Sequence, residues 1–397
     1  MSVQKPQSAV LPQRPAQFWL VGSCAFTSMA SMRICDAMLP AFAQDFSVTQ
    51  GRAAGAISAF ALAYGVLQLL YGPLGDRFGK TRVIGLATLA CTVGSVLAAM
   101  APSMEWLVAA RVLSGGAAAG IIPLAMAWIG DTVPYQGRQA VLAQLLGATV
   151  FGMISGQWVG GALAHAWGWR SAFWVLALLF CCAGMFLTRQ LAAAQPRVQS
   201  TPAGLVEGFQ SVLRNPWARV VLLVTALEGA FAFSALAFIP SDLHLRFGLS
   251  MPVAGGLVAL YGVGGLVYSR AAKRMLARWR EPELARAGGI CIGVAFAAMA
   301  LAPHWSFIPP ACLLAGFGFY ALHNTLQANA TQMVPAARGT AVSLFACSLF
   351  LGQSAGIFGA AWVVDHLGAS AVFAVCGAGL FMVGAVFAML LQRQGPP

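Results

Sequence analysis

Charged side chains lie inside long apolar stretches of the sequence at Arg33, Asp36, Arg111 and Glu228. A charge in the hydrocarbon core of a membrane costs a few kcal/mol or more, so it is normally paired or functional. Arg33 and Asp36 are three residues apart and can meet on one helix face. Burial favours a neutral carboxyl group, whereas a nearby arginine favours the charged form. A proton, a cation and Arg33 would compete for Asp36, which makes Asp36 a candidate proton carrier. A static Arg33–Asp36 ion pair is the alternative.

Glu228 lies in the middle of another apolar run. It is a candidate second proton site or a counter-charge for a bound molecule. The alternative is a protonated, hydrogen-bonded packing residue, because a buried acid readily becomes neutral.

A polar and aromatic stripe occurs further along the chain. Its members are three or four residues apart and so share one helix face: Tyr320, His323, Asn324, Gln327 and Thr331. Such a stripe can bind a small molecule or form hydrogen bonds between helices, and the sequence leaves both open.

These residues must be positioned by membrane helices. Of the 397 residues, 59% are hydrophobic and 9% are charged, whereas a soluble protein carries roughly 25% charged residues. This excludes an ordinary soluble enzyme, a disordered chain and a small disulfide scaffold. The apolar runs predict twelve helical spans, the first of which is expected to be retained rather than cleaved: 18–42, 53–73, 83–101, 106–130, 140–163, 171–188, 216–239, 251–270, 287–303, 307–333, 340–363 and 370–391.

The net charge of +12 would suggest nucleic acid in a soluble protein. Here most of the 23 Lys and Arg residues lie between the apolar runs, in every second connection and at the termini. Basic residues in short connections mark the cytoplasmic side. Both termini are therefore predicted to be cytoplasmic, with the lipid bilayer rather than nucleic acid as partner.

Landmarks recur at an offset of 200 residues. Gly152, Gly156, Gly168 and Phe173 return as Gly352, Gly356, Gly368 and Phe373, and Arg138 returns as Arg338. The pattern predicts two related halves, 1–188 and 216–397, joined by a cytoplasmic linker, 189–215. Transporters built from such repeats bind substrate at the midplane between the halves.

The segment after the second run contains Gly72, Gly75, Asp76, Arg77, Gly79, Lys80 and Arg82. It resembles the signature loop of the major facilitator superfamily, and Asp131 matches the acidic partner of that loop. The resemblance covers nearly the whole chain, from Phe18 to about Leu391. It implies an all-α membrane protein with twelve transmembrane helices in two pseudo-symmetric six-helix bundles. It also implies that Asp76, Arg77 and Asp131 latch the cytoplasmic gate.

Two further matches to family motifs concern the coupling of transport to protons. Arg111 followed by Gly115 resembles a second family motif, which implies that Arg111 lies near proton transfer; a structural ion pair is the alternative. Asp36 four residues before Pro40, together with Gln68, is similar to the bacterial twelve-span drug/proton antiporters. In this family the tenth span lines the cavity, where Tyr320, His323, Asn324 and Gln327 would meet substrate.

Two departures weaken the antiporter assignment. Ser28 stands where some members carry a second acid, and Gln157 replaces the proline of the antiporter motif in the fifth run. Gln157 is instead expected to make a polar contact within the helix interface or the cavity. A metabolite or sugar permease of the same fold, possibly working as a symporter, therefore stays open. A non-transporting receptor or scaffold is a third alternative.

The resemblance as a whole implies a monomeric, secondary active transporter in the bacterial inner membrane. The favoured activity is proton-coupled efflux of small amphipathic or drug-like molecules. The sequence contains neither a phosphate-binding loop nor metal-ligand spacings, so no cofactor or metal is expected. The sequence contains no HExxH motif, and its one GxSxG string, Gly352 to Gly356, lies inside an apolar run rather than at a turn from a strand to a helix, so we do not expect an enzyme.

Overall fold

The computed structural model describes residues 15–190 and 203–394, and within them it contains twelve helical spans long and apolar enough to cross a membrane. Spans 1 to 12 run, in order, Gln17–Asp45, Gln50–Phe78, Lys80–Ala99, Met104–Thr132, Ala140–Trp167, Trp169–Gln190, Pro216–Phe247, Met251–Leu276, Glu281–Ala300, Trp305–Gln332, Pro335–Leu367 and Ala369–Gln394. Each predicted apolar run corresponds to one span, so the all-α, twelve-span prediction is confirmed.

Most helices extend beyond the apolar runs that predicted them, because helical backbone continues until a capping residue ends it. The clearest case follows span 2, where a loop was expected over residues 72–82. The helix instead continues to Phe78, and span 3 begins at Lys80. Gly79 alone makes the turn with a φ of 89°, a conformation that favours glycine. The predicted loop is therefore a single residue.

The spans alternate in direction and define two ends of the molecule. We call the end that contains Gly79 and the helix Ala203–Arg214 the linker end, and the opposite end the far end. The linker helix lies between spans 6 and 7, within the predicted linker 189–215. Residues 1–14, 191–202 and 395–397 lie outside the described residues, so the outer limits of the predicted domains are not addressed by the structure.

Span 1 is not one continuous helix. Its first helix, Pro15–Arg33, ends inside the molecule, a 3-10 turn follows at Asp36–Met38, and a second helix runs over Leu39–Asp45. Pro40 at the start of that second helix has no amide hydrogen, which disfavours a continuous helix through the preceding turn. Irregular backbone at membrane depth is tolerated where it is buried in protein. The break places Arg33 and Asp36 in the interior.

The packing of glycines repeats at the predicted offset of 200. A Cβ atom on Gly156 would strike the backbone of Ala30 in span 1, and one on Gly356 would strike the backbone of Ala230 in span 7. Gly152 and Gly352 approach Phe26 and Ala226 in the same way. Small residues spaced four apart allow this close approach of two helices. The recurrence therefore reflects a repeated contact, span 1 with span 5 and span 7 with span 11.

The two halves contact each other through spans 2 and 11 and through spans 5 and 8. At the far end, Gly51 lies against the backbone of Ala361, and Gly161 lies against the backbone of Met251. Towards the middle, the ring of Tyr64 lies 4.5 Å from that of Phe350. These contacts lie between the far end and the middle of the spans, so the halves are held together on that side.

Candidate functional site

Asp36 is completely buried at the break in span 1 and accepts two hydrogen bonds on one oxygen. Arg33 donates to Oδ2 at 3.4 Å, and Nε2 of Gln157 donates to the same oxygen at 3.2 Å. The other carboxylate oxygen, Oδ1, has no partner in the described part of the chain. Gln157 thus occupies the position of the missing proline with a direct contact to the candidate proton carrier.

A cavity of about 60 Å³ lies between the two halves beside this cluster. Arg33, Met153 and Gln157 line it from the first half. The second half supplies four aromatic side chains, namely Phe233, Tyr261, Phe319 and Tyr320. The structure therefore brings together Arg33, Gln157 and Tyr320 from the predicted site, with Asp36 directly behind them.

Arg33 contacts the second half across the cavity. Its guanidinium carbon lies 4.5 Å above the ring centre of Phe233 in span 7. A cation over an aromatic face is attracted by about 0.5–2 kcal/mol, more when water is excluded. Arg33 therefore connects Asp36 in the first half to the aromatic wall of the second.

Glu228 pairs with His323, another predicted residue. Its Oε2 lies 2.9 Å from Nδ1 of His323, and Oε1 has no partner among the described residues. The His323 ring stacks at 5.1 Å on Phe319, which lines the cavity. The pair thus lies one side chain behind the cavity wall. A buried carboxyl beside an imidazole is an arrangement in which a proton can be shared or moved.

Arg111 lies apart from the cavity, buried in the first half. It donates to the backbone oxygens of Ser31 and Ala56 and to the Ser31 hydroxyl, at 2.8–3.2 Å. Its guanidinium carbon is 4.1 Å from the ring centre of Phe60. Arg111 thus faces the interior of the bundle, and its hydrogen bonds go to carbonyl and hydroxyl oxygens instead of a carboxylate. Its hydrogen bonds to Ser31 hold span 1 in place two residues before Arg33.

Of the span-10 stripe, Tyr320 lines the cavity, whereas His323, Asn324, Gln327 and Thr331 are not among its described lining residues. Asn324 is half-buried and Gln327 is exposed, both further towards the linker end than Tyr320. The stripe does form one helix face, but in this conformation only its far-end part borders the space between the halves.

The predicted gate latch uses a different cation. Nζ of Lys80 lies 2.6 Å from Asp131 and 3.2 Å from Asp76. Arg77 instead places its guanidinium 5.2 Å from the ring centre of Phe78. In this structure Lys80 and not Arg77 contacts the two carboxylates, because span 2 stays helical to Phe78 and Lys80 begins the facing helix, and a role of Arg77 in the latch stays a prediction. Gly75 lies against Leu124 in span 4, Gly72 has open space beside it, and Arg82 is exposed.

Sequence reasoning missed Phe233 and Phe319, since a phenylalanine inside an apolar run carries no signal of its own. It also placed the end of span 7 too early, which left Asp242 outside the membrane. That residue is 7% exposed and lies 3.8 Å from Arg246. Asp365, which accepts a hydrogen bond from the Gly51 amide at 2.8 Å, was missed as well.

The twelve spans agree with the comparisons to known proteins. The family model of the Major Facilitator Superfamily matches residues 21–357, well over half of the chain. The chain belongs to this superfamily and is a multi-pass membrane transporter, which confirms the resemblance carried by residues 72–82.

Its curated relatives are distant. An uncharacterized MFS-type transporter of Bacillus subtilis is 21% identical, over 96% of this chain and 97% of its own. A chloramphenicol resistance protein of Streptomyces lividans is 27% identical, over 83% and 84%. The multi-drug resistance efflux pump PmrA of Streptococcus pneumoniae is 27% identical, over 53% and 54%.

Solved structures share the fold. A bacterial homologue of the human lysosomal transporter Spinster, in an inward-facing and unoccupied conformation, superposes with a TM-score of 0.78 at 18% identity, covering 96% of this chain and 97% of that one. A mutant of the nucleoside transporter NupG gives 0.80 at 13% identity, covering 94% and 99%. These likenesses establish the fold and not the substrate.

Proposed function

We propose that the protein exports small amphipathic or drug-like molecules in exchange for protons, by alternating access between the two halves. The observation that carries this proposal is the buried carboxyl of Asp36. It lies at a helix break, holds Arg33 and Gln157 on one oxygen, and adjoins the cavity between the halves. An intramembrane carboxyl at such a position is suited to bind and release a proton.

Protonation of Asp36 would remove the negative charge that holds Arg33. Arg33 would then rest on Phe233 and on whatever occupies the cavity. Because Arg33 touches both halves, a change in its charge balance alters the contact between them. Proton binding, ligand binding and the relative position of the halves are linked through one side chain in this proposal. Arg111 keeps the broken span in place through its bonds to Ser31.

Glu228 and His323 form a second candidate proton site. The pair lies in the second half, as Asp36 lies in the first, and Phe319 connects it to the cavity. Loss of a proton from this pair would leave the negative charge of Glu228 near the substrate.

The proposed orientation follows from the basic residues. With both termini in the cytoplasm of a bacterial inner membrane, the linker end faces inward. The described contacts between the halves would then lie on the outer side, as expected of a state that is closed to the exterior. The Lys80 cluster with Asp76 and Asp131 lies at the cytoplasmic gate.

A permease that imports a metabolite or sugar is the second candidate. It is favoured by Gln157 in place of proline and by Ser28, whose buried hydroxyl stands where an acid would serve antiport. Transport direction separates the two: an exporter accumulates its compound inside inverted vesicles, whereas an importer accumulates it inside right-side-out vesicles.

The first experiment compares wild type, Asp36→Asn and Asp45→Asn in a bacterium that lacks its main efflux pumps. Growth and dye accumulation are measured across a broad panel that includes chloramphenicol. Asp45 is the matched control, because it lies in the same span but pairs with Arg170 at the surface. We expect resistance with wild type and Asp45→Asn that disappears with Asp36→Asn. No resistance with any of them, despite confirmed membrane expression, would contradict multidrug export.

Coupling is then measured with purified protein in liposomes that hold a pH-sensitive dye. Addition of an exported compound should move protons with wild type and Asp45→Asn but not with Asp36→Asn. Compound movement without proton movement in wild type would contradict antiport.

A further inference from the structure

The cavity between the halves presents hydrogen-bond donors that have no acceptor among the described residues. Tyr261 is 8% exposed, and its buried hydroxyl has no partner within the described part of the chain. Arg33 carries five N–H donors, of which one makes the long 3.4 Å bond to Asp36. Buried donors are normally satisfied, and one left without a partner costs about 1–3 kcal/mol. Both side chains border the same space.

The walls around these donors are aromatic. Phe319 lies at the centre, with the rings of Phe233, Tyr261 and Tyr320 at 5.5, 5.7 and 5.6 Å from its own. Rings at such distances attract one another edge-to-face or offset, and an inserted aromatic ring gains the same interaction. The wall thus favours a flat aromatic ligand.

The charge that faces the cavity is positive. Its described lining contains Arg33 but neither aspartate nor glutamate. The nearest carboxylate, Asp36, has one oxygen occupied by Arg33 and Gln157. A fixed cation in the cavity would lie beside the guanidinium of Arg33, whereas the carboxyl groups of Asp36 and Glu228 lie behind the lining side chains. Like charges in a site with little water repel strongly.

We propose that the site binds aromatic compounds that carry a hydrogen-bond acceptor, such as a carbonyl or carboxylate, and excludes permanent cations. The acceptor receives hydrogen bonds from Arg33 and Tyr261, and the ring packs on Phe319 and Phe233. A volume of about 60 Å³ holds only the acceptor end, since drug-sized ligands occupy roughly 300 Å³ or more. The ring can pack on Phe319 and Phe233 only when the cavity widens as the two halves move apart, as alternating access requires. This proposal names the substrate class of the proposed transporter and rests on that function.

The test uses three compounds with one ring system: 2-naphthamide, 2-naphthoate and 2-naphthyl-trimethylammonium. Binding to the purified full-length protein in lipid nanodiscs is measured by isothermal titration calorimetry. We expect the amide and the carboxylate to bind at least ten-fold more tightly than the ammonium compound. Ammonium binding as tight as either of the others, or binding by none of the three, would overturn the proposal.

Two matched variants test whether the Tyr261 hydroxyl donates a hydrogen bond to the ligand. Tyr261→Phe removes only the unpartnered hydroxyl, and we expect it to weaken amide binding by about 2- to 10-fold. Tyr268→Phe makes the same change in the same helix at a ring that packs edge-on against Phe317 and does not line the cavity, and we expect unchanged binding. Equal effects of the two variants would contradict the assignment of Tyr261.

Failure of the proposed ligand class can be distinguished from failure of the proposed transport function. If liposomes show proton exchange driven by ammonium compounds, the transport function stands and the ligand class is wrong. If amide binding is confirmed but Asp36→Asn exports normally, the ligand class stands and the proton site is wrong.

Discussion

At the scale of single residues, the interior of this protein combines a few charges with many rings. Arg33 rests on Phe233, and Arg111 rests on Phe60. In each case an aromatic face supplies part of what water would supply outside the membrane. Asp36 and Glu228 each keep one oxygen without a partner among the described residues. Such incomplete satisfaction is unfavourable for a static fold and is expected where a group must gain and lose a proton.

The Glu228–His323 contact can be tested by a double-mutant cycle. His323→Leu removes the described partner of a fully buried carboxyl, so we expect it to destabilise the protein by about 1–3 kcal/mol. That corresponds to a fall of several degrees in the melting temperature. Glu228→Leu with His323→Leu should recover part of the loss, because it removes both polar groups. Melting is followed by tryptophan fluorescence in detergent.

A double variant whose loss of stability equals the sum of the losses in His323→Leu and Glu228→Leu would show that the two residues do not interact. In that case His323 contributes only its ring stacking on Phe319.

The polar part of the site was predictable and the apolar part was not. Arg33, Asp36, Arg111 and Glu228 stand out because charge is costly in an apolar run. Phe233 and Phe319 have no such contrast with their neighbours, although they form much of the wall. Lys80 was predicted within the gate, but its pairing with Asp131 in place of Arg77 depends on where a helix ends. End positions follow from capping and packing that periodicity does not record.

At the scale of helices, glycine sets how closely the spans approach. Gly156→Ala and Gly356→Ala would each push a methyl group into the backbone of the facing span, at Ala30 and Ala230. We expect each to lower stability by about 1–3 kcal/mol through overpacking. Melting temperature and the yield of monodisperse protein measure the effect.

The same helices provide controls. At Gly147 in span 5 and Gly359 in span 11, an added methyl group would have no neighbouring side chain or facing helix within 4 Å. Alanine there should be neutral or stabilising, because glycine is a poorer helix former than alanine by about 1 kcal/mol. Losses of similar size at all four positions would mean that helix packing is not the cause.

Beside the turn between spans 2 and 3, Lys80 forms ion pairs with Asp76 and Asp131. Lys80→Met removes the contacts to Asp76 and Asp131, whereas Arg77→Met removes only a stacking contact on Phe78. Partly exposed ion pairs contribute about 1 kcal/mol or less to stability, so neither variant should unfold the protein. We expect Lys80→Met to reduce the transport rate in liposomes more than Arg77→Met does. A larger effect of Arg77→Met would restore the latch predicted from the sequence.

At the scale of the whole molecule, the two halves meet through related but unequal contacts. Gly51 against Ala361 and Gly161 against Met251 are the same contact shifted by 200 residues. Only the first carries a described hydrogen bond, from the Gly51 amide to Asp365 at 2.8 Å. The residue 200 positions before Asp365 is His165, which is exposed. The contact at Gly51 is therefore stabilised by a hydrogen bond to a charged side chain, whereas the contact at Gly161 is stabilised by packing.

This asymmetry predicts how the far end opens. Gly51 lies in the first turn of a short helix, Gln50–Ala53, where amide hydrogens have no partner within the helix. Asp365→Ala removes the acceptor and a charge that favours this helix end, so we expect the far end to open more often. Hydrogen–deuterium exchange mass spectrometry should show faster exchange in peptides that contain Gly51, by about five-fold, a shift of about 1 kcal/mol. His165→Ala is the matched control and should leave that exchange unchanged. Unchanged exchange in Asp365→Ala would mean that packing at Gly51 and Gly161 alone closes the far end.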